Sequence, residues 1–321
     1  MFESPLEEDR LSYNRKPVPS SILIFGASGH IGGPLARFMA REAPTIHLRL
    51  ATSDTARAAA LQAQFPQAEV VPANYADRVS LEAAVRDIEG IFVLTPSGTD
   101  EAPAMTNLVE ACRSSRVGPH VIRLVGMQPE SDPRRIPQSL RDHGLGLPIQ
   151  HPIAKAVLGD SGLPVTFLNS GATFIDNFRW MANALRDRRT LVWPDRLIPY
   201  IDPSDIAEVA GRLFLSDNHR HIGQFHTMNN GQDILRFGEA AELMSEVWGE
   251  PIAYDGSKSA FVAEYAAMGE VRLNYLWDFF QYEQDNEVVW ARNDFVERTI
   301  GRRPTSVREW LSAHRDDLLG P

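Results

Sequence analysis

Cysteine is almost missing from this chain: Cys112 stands alone among 321 residues. A lone thiol excludes an intramolecular disulfide framework and fits a reducing compartment. Within the helical pattern around it, a small buried residue is the ordinary reading and a nucleophile the exceptional one. Long apolar runs are also missing, since none approaches the ~18 residues of a membrane-spanning helix. A basic excess is missing too: 32 Lys and Arg face 42 Asp and Glu, a formal charge of -10. That balance argues against binding nucleic acid or an anionic membrane surface. The opening MFESPLEEDRLSYNRKPVPSS is polar and acidic, unlike a signal or transit peptide, so a cytoplasmic location is expected. No His, Cys, Asp or Glu group has metal-ligand spacing, so no metal is expected; no G-x-S-x-G elbow, internal repeat or low-complexity tract occurs either.

What is present is an alternation of short apolar runs and helical patterns. Residues 1–19 read as a flexible leader. Strands are predicted at Ser21–Phe25, Ile46–Thr52, Glu69–Val71, Ile91–Leu94 and His120–Val125, with helices at Ile31–Arg41, Asp54–Phe65, Ser80–Ile88 and Ala102–Ser114. Such a rhythm predicts an α/β protein with a doubly wound parallel sheet. The stretch Gln128–Gln150 holds four prolines and two glycines and reads as a long loop. A helix near Ile153–Asp160 then leads to a strand at Val165–Leu168. Beyond it, helical patterns dominate at Phe174–Leu185, Phe237–Trp248, Ser259–Met268, Leu273–Phe280 and Val307–His314. The division expected is a dinucleotide-binding domain over 20–170 and a smaller, mostly helical substrate domain over 171–321. Strands near 197–201 and 224–227 are expected to return to the large sheet.

The sharpest local signal is Gly26-Ala27-Ser28-Gly29-His30-Ile31-Gly32, directly after a strand and before a helix. A dinucleotide pyrophosphate needs backbone N–H groups at a helix N-terminus and no side chains in its way. Gly26 suits the tight turn, Gly29 the close approach of phosphate, and Gly32 the packing of helix on strand; Ser28 and His30 offer further donors. The second strand runs into Thr52-Ser53-Asp54. Asp54 lies near the distance at which an acid would accept from the ribose of NAD, yet it also suits the start of the next helix. Thr52 and Ser53 could accommodate a 2′-phosphate, with Arg57 to neutralise it, so NADP(H) is favoured over NAD(H).

Five segments together resemble the NmrA-like branch of the atypical short-chain dehydrogenases/reductases, over roughly residues 20–318. They are ILIFGASGHIG, VVPANYADRVSLEAAV, IFVLTPSG, VLGDSGLPVTFLNSGATFIDNF, and LIPYIDPSDIAEVAGRLF with the later ERTIGRRPTSVREWL. The resemblance implies an NADP-preferring Rossmann domain and a substrate cleft beside the C-terminal domain. It also implies that Gly26, Ser28, Gly29, His30 and Ile31 face the pyrophosphate. Ser53 stands where many members place an arginine for the 2′-phosphate, and Arg57 where they often have a second basic residue. Asn74 would lie near the adenine, and Thr95 and Pro96 near the nicotinamide half. Met127, Phe174 and Phe178 are expected at the substrate pocket, with core packing the competing reading for the phenylalanines.

Short-chain dehydrogenases typically pair Tyr-x-x-x-Lys on one helix face with a serine after the fifth strand. Here the helix reads His151-Pro152-Ile153-Ala154-Lys155, and Val125 takes the serine position, so the triad is absent. An imidazole can exchange a proton near neutrality unaided, and positions i and i+4 share a face, which makes His151 the catalytic candidate and Lys155 the ribose contact. Pro152 favours a first-turn position, which would put His151 at the helix flank as a surface or capping residue. His143 is a second, weaker candidate. Ser170 and Gly171 follow a strand end, where ligands bind in such sheets. Asp202, Ser204 and Asp205 read as helix capping. The function expected is an NAD(P)H-dependent reductase of a small apolar, aromatic-tolerant acceptor. A non-catalytic NADP(H)-sensing protein is the second reading, and an epimerase or lyase the third. The partner is a small molecule, or a protein if the chain is a sensor; a homodimer stays open.

Overall fold

The structure is a computed structural model and describes residues 15–128, 133–144 and 146–320. In chain order it runs β1 (Ser21–Phe25), α1 (Gly32–Glu42), β2 (His47–Thr52), α2 (Thr55–Gln64), β3 (Glu69–Pro72), α3 (Arg78–Val85), β4 (Gly90–Val93), α4 (Glu101–Ser114) and β5 (His120–Val125). Next come α5 (Gln138–His143), α6 (Leu147–Gly159), β6 (Val165–Ser170), β7 (Thr173–Phe174), α7 (Ala182–Arg188), β8 (Thr190–Val192) and β9 (Ile198–Ile201). The rest is α8 (Pro203–Leu215), β10 (Phe225–Met228), β11 (Ile234–Leu235), α9 (Phe237–Trp248), β12 (Ala253–Asp255), α10 (Lys258–Glu264), α11 (Glu270–Asp285), α12 (Phe295–Ile300), α13 (Val307–Ala313) and α14 (Arg315–Leu319). The chain divides into two compact units. The first takes the residues up to Val125 with Gln150–Asn169 and Ile206–His226; the second takes Gly126–Ile149, Ser170–Asp205 and the residues from Thr227 on.

The first unit is built on a seven-stranded sheet of order β10-β6-β5-β4-β1-β2-β3. The pairings from β3 across to β6 are parallel. β1, β4 and β5 bury every residue, as strands covered on both faces must. Each buried Leu, Ile or Phe contributes roughly 1.5–3 kcal/mol, and this drives the layering. One face packs Leu81, Ala84 and Val85 of α3, Leu108 and Cys112 of α4, and Ala154 and Leu158 of α6. Cys112 is buried there, and burial pushes its thiol up to about 12. Asp54 opens α2 by accepting the amide of Ala56 (2.9 Å), and Asp77 opens α3 by accepting those of Val79 and Ser80. At the N-terminal end of β5, His120 Nε2 meets Thr166 Oγ1 at 2.9 Å, and that hydroxyl donates to the His221 carbonyl at 2.9 Å. The hydroxyl proton being used, His120 Nε2 carries the hydrogen of the pair.

The second unit holds a three-stranded sheet of order β11-β9-β7 and the β12-β8 pair. Its helices close over an aromatic core that includes Phe178, Trp193, Tyr200, Phe237, Phe261 and Trp310. Arg196 lies between the rings of Phe237 and Phe280 (4.9 and 4.2 Å) and pairs with the buried Glu283.

Three expectations change. The strand near 197–201 forms as β9 but joins β7 and β11, not the large sheet; of the two late strands only β10 lies beside β6. An apolar run specifies burial on two faces and leaves the choice of partner sheet to tertiary contacts. The long loop over 128–150 instead carries α5 and the start of α6, with Ile136 and Leu140 buried against Tyr282. α6 begins at Leu147 because Pro148 sits in its first turn, where a proline displaces no hydrogen bond. The leader expected over 1–19 lies largely outside the described residues. Its described end is held: the Lys16 amide donates to Asp217 O (2.6 Å) and Lys16 Nζ to Phe214 O (3.1 Å), satisfying carbonyls at the end of α8.

Candidate functional site

Strand order reverses between β1 and β4, and in open α/β sheets ligands bind outside the carboxyl ends of the strands at that point. Both strand ends there are built unusually. After β1, Gly26 adopts φ +70°, a conformation that side chains disfavour. A Cβ on Gly32 would stand 2.3 Å from Gly26 O, so the helix can approach the turn this closely only with glycine. A Cβ on Gly26 would touch Leu94 Cδ2 at 3.0 Å across the reversal point. Ser28, Gly29 and His30 are exposed on this turn, whereas the Ile31 side chain is buried in the core. Ile31 is also the N-cap of α1 and supplies no side-chain acceptor; in the first turn the Gly33 amide donates to Gly29 O (3.0 Å) and Pro34 has no N–H, so the amide that the helix start offers to an anion is that of Gly32.

The residue pattern on the neighbouring strand ends follows from the parallel sheet. Thr52 ends β2, and its hydroxyl is engaged in the turn, donating to Asp54 O (3.1 Å) and accepting the Asp54 amide (3.2 Å). Ser53 is exposed. Arg57 is exposed too, with Nε 3.1 Å from Asp54 Oδ2. Asn74, after β3, is exposed and uses Oδ1 to accept the Ala76 amide (2.9 Å). Val125 is buried at the end of β5, opposite Asn169 in the register with β6.

The end of β4 carries a feature that the sequence reading missed. Three successive residues are held by the buried Arg123 and the half-buried Tyr75. Arg123 Nη1 reaches Val93 O (3.5 Å), Tyr75 Oη donates to Leu94 O (3.2 Å), and Arg123 Nη2 donates to Thr95 Oγ1 (2.8 Å). Arg123 Nη2 also pairs with Glu101 Oε1 (2.6 Å), with side-chain exposures of 0 and 2 %. Thr95 Oγ1 donates to the same carboxylate oxygen. The Glu101 amide donates to Gln150 Oε1 (2.8 Å), which links α4 to α6. Glu101 Oε2 and Arg123 Nε are buried with no hydrogen-bond partner. Tyr75 stacks on Phe25 at 4.7 Å, and its hydroxyl pKa is raised, first by burial. The available signal was Arg123 itself, a cation inside the otherwise apolar run Val121–Val125.

His151 lies in the second turn of α6, not at its flank, because the helix starts four residues before it. It is half-buried and not solitary. Lys155 is exposed, with Nζ 5.9 and 5.6 Å from the ring centres of Phe167 and Phe225. Phe167 pairs with Arg123 in mid-strand, so the ammonium rests below the carboxyl edge of the sheet. In the second unit, Ser170 Oγ donates to Ala172 O (3.3 Å), and Gly171 is buried. Phe174 and Met127 are half-buried there. Phe178 is 2 % exposed and stacks on Tyr200 at 5.9 Å, which makes it a core residue. His143 stands edge-on to Tyr275 at 5.0 Å. Asp202 accepts the Ser204 amide (2.7 Å), and Asp205 accepts Arg302 Nη2 and the Thr305 amide (both 2.7 Å). Burial raises the Asp205 pKa against these bonds. Among the described residues no group of three or more His, Cys, Asp or Glu is placed to hold a metal ion, and no helix is long and apolar enough to cross a membrane.

A parallel sheet with its strand order reversed beside a glycine turn and an uncapped helix start defines a Rossmann-type α/β protein. More narrowly, the chain belongs to the NmrA-like family, which it matches over residues 19–311. It is 25 % identical over 307 residues to a (4-alkanoyl-5-oxo-2,5-dihydrofuran-3-yl)methyl phosphate reductase of Streptomyces griseus subsp. griseus, covering 92 % of this chain and 98 % of that one. Identity to an NAD(P)H azoreductase of Xenophilus azovorans is 25 % over 236 residues, covering 73 % and 76 %. The fold is similar to that of an NADPH-dependent quinone oxidoreductase of Escherichia coli solved with NADPH (TM-score 0.76, 21 % identity, covering 91 % and 99 %).

Proposed function

We propose that this protein is an NADPH-dependent reductase of a small, apolar acceptor with a carbonyl, quinone, imine or activated double bond. The observation that carries the dinucleotide half is the approach of Gly32 to Gly26 O, which leaves the start of α1 open to a pyrophosphate. The reductase half is supported by the activities named for the two relatives, both of them reductases. Gly26, Ser28, Gly29, His30 and the Ile31 amide would hold the pyrophosphate, Asn74 the adenine side, and Thr95 and Pro96 the nicotinamide side. Bound NADPH supplies a hydride, and the acceptor takes up that hydride and one proton.

The chain's own part is to orient and to provide that proton. Reading the site without a Ser-Tyr-Lys apparatus is supported by the buried Val125 in the serine position and by Lys155 resting on Phe167 and Phe225. We assign the proton to the His151 imidazole, which stands four residues before Lys155, where the dehydrogenase pattern has its tyrosine. Preference for the 2′-phosphate falls to Thr52, Ser53 and Arg57. Arg57 shares its charge with Asp54, so its pull on a phosphate is moderated and NADH should still be accepted at higher concentration.

Fluorescence titration with NADPH and NADH, followed by a panel of quinones, azo compounds, imines and aromatic carbonyls, tests this reading. Acceptor-dependent loss of the reduced-nicotinamide absorbance, at least tenfold slower in His151→Ala, is expected, with NADPH preference reduced in Arg57→Ala. The second reading, a dinucleotide sensor without turnover, draws on the same absence of a triad. Tight binding with no oxidation by any acceptor would favour it.

A further inference from the structure

A buried ion pair is an expensive way to hold a fold together. Removing both charges from water costs several kcal/mol per ion, and apolar replacements of similar volume are often as stable or more so. Arg123 and Glu101 nevertheless form such a pair within the apolar layer between the sheet, α4 and α6, and each leaves one polar atom unsatisfied. The interactions it does make converge on one place. Arg123 holds Val93 O and the Thr95 hydroxyl, Glu101 accepts from that hydroxyl, and the Glu101 amide fixes Gln150, the residue before His151. With its proton given to Glu101 and one lone pair used by Arg123, the Thr95 hydroxyl is locked in rotation. The Thr95–Pro96 segment is therefore a rigid ledge beside the glycine turn. It lies on the β4 side of the reversal point, away from the β2 end where a ribose-binding residue stands in dinucleotide folds.

We propose that Glu101 and Arg123 are positioning residues of the reductase: through Thr95 and Gln150 they fix the ledge and the start of α6 relative to each other, and so set turnover, not dinucleotide affinity. The inference rests on the reductase reading above. Neither residue touches the reacting atoms; a ledge displaced by a fraction of an ångström misorients the hydride path while the pyrophosphate stays seated on α1.

The test separates positioning from scaffolding. Glu101→Gln and Arg123→Met each leave one buried charge alone, so both should lower Tm and kcat. The double variant Glu101→Leu with Arg123→Met removes both charges and should regain the wild-type Tm to within a few degrees. It should bind NADPH with a Kd within about threefold of wild type, yet keep kcat at least tenfold low with the acceptor KM little changed, using whichever acceptor the wild type reduces fastest. Recovery of kcat along with Tm would overturn the inference and leave the reductase reading intact. Absence of turnover in the wild type itself would overturn both. If the double variant does not fold, Thr95→Val against Thr95→Ser decides. A tenfold loss of kcat in the first, rescued in the second, supports positioning; equal kcat in both overturns it.

Discussion

Gly32 has no room for even one methyl group. A Cβ placed 2.3 Å from Gly26 O must push α1 off the turn, so Gly32→Ala should lose about 1–3 kcal/mol of stability and weaken NADPH binding by tenfold or more. Thermal unfolding and fluorescence titration read the two effects; a variant that binds normally would remove the turn from the cofactor site. At this scale the sequence was readable where chemistry is local. The glycine spacing announced the turn, and Asp54 announced a helix cap as one of its two readings. Arg123, Glu101 and Tyr75 were not readable, because Leu94 lies 19 residues from Tyr75, and Glu101 and Val93 lie 22 and 30 residues from Arg123, so that only folding brings them to the end of β4. Phe178 shows the converse. Its aromatic character fits a pocket wall and a core equally, and the stack on Tyr200 decides for the core.

Among the elements, α6 departs most from what local rules favour. Pro152 sits inside it and cannot donate to the carbonyl of Pro148, one turn earlier. Pro152→Ala restores the missing donor and should stabilise the protein by roughly 1–3 kcal/mol, seen as a higher Tm. Because His151 immediately precedes the proline, a helix straightened there should also change kcat. An unchanged Tm would mean that the Pro148 carbonyl is already satisfied another way. The same prolines explain why the helix start was placed too late from sequence: each marks a boundary by propensity, and only the packing of Gln150, Ala154 and Leu158 on the interior shows that the helix continues through. The βα alternation of the first unit, in contrast, was legible throughout, since fully apolar strands with helices between them admit few other arrangements. The fate of β9 was not, because three or four apolar residues fit any sheet.

For the molecule as a whole, acid weakens the fold through its buried histidines. Burial pushes His120 down to about 3 and His221 to about 4, and the neighbouring charges add to it: His221 and Lys16 for His120, and Lys16, His226 and His219 for His221. Burial likewise lowers His226, and it lowers Lys16 to about 8 against the opposing pull of Asp217. A histidine whose folded pKa is depressed is neutral in the native state while the unfolded chain takes up a proton near pH 6.5. Stability is therefore full above that value and declines as pH falls towards 4. The decline for the pair is about 2 kcal/mol per histidine at pH 5. Denaturant midpoints at pH 8 and pH 5 should show it, and His120→Asn with His221→Asn should flatten the difference; an acid limb unchanged in that double variant would assign the sensitivity elsewhere.

The burial of Cys112 gives the protein a built-in clock. Its thiol is the chain's sole one, sits on the inner face of α4 and, with its pKa raised to about 12, cannot react while that helix is seated. An aromatic disulfide reagent added to the native protein will therefore develop colour only as fast as the first unit opens, one event per molecule, with no competing background. If NADPH holds that unit closed, the colour should appear more slowly in its presence, by the factor 1 + [NADPH]/Kd. An affinity could then be measured with no acceptor known and no turnover required.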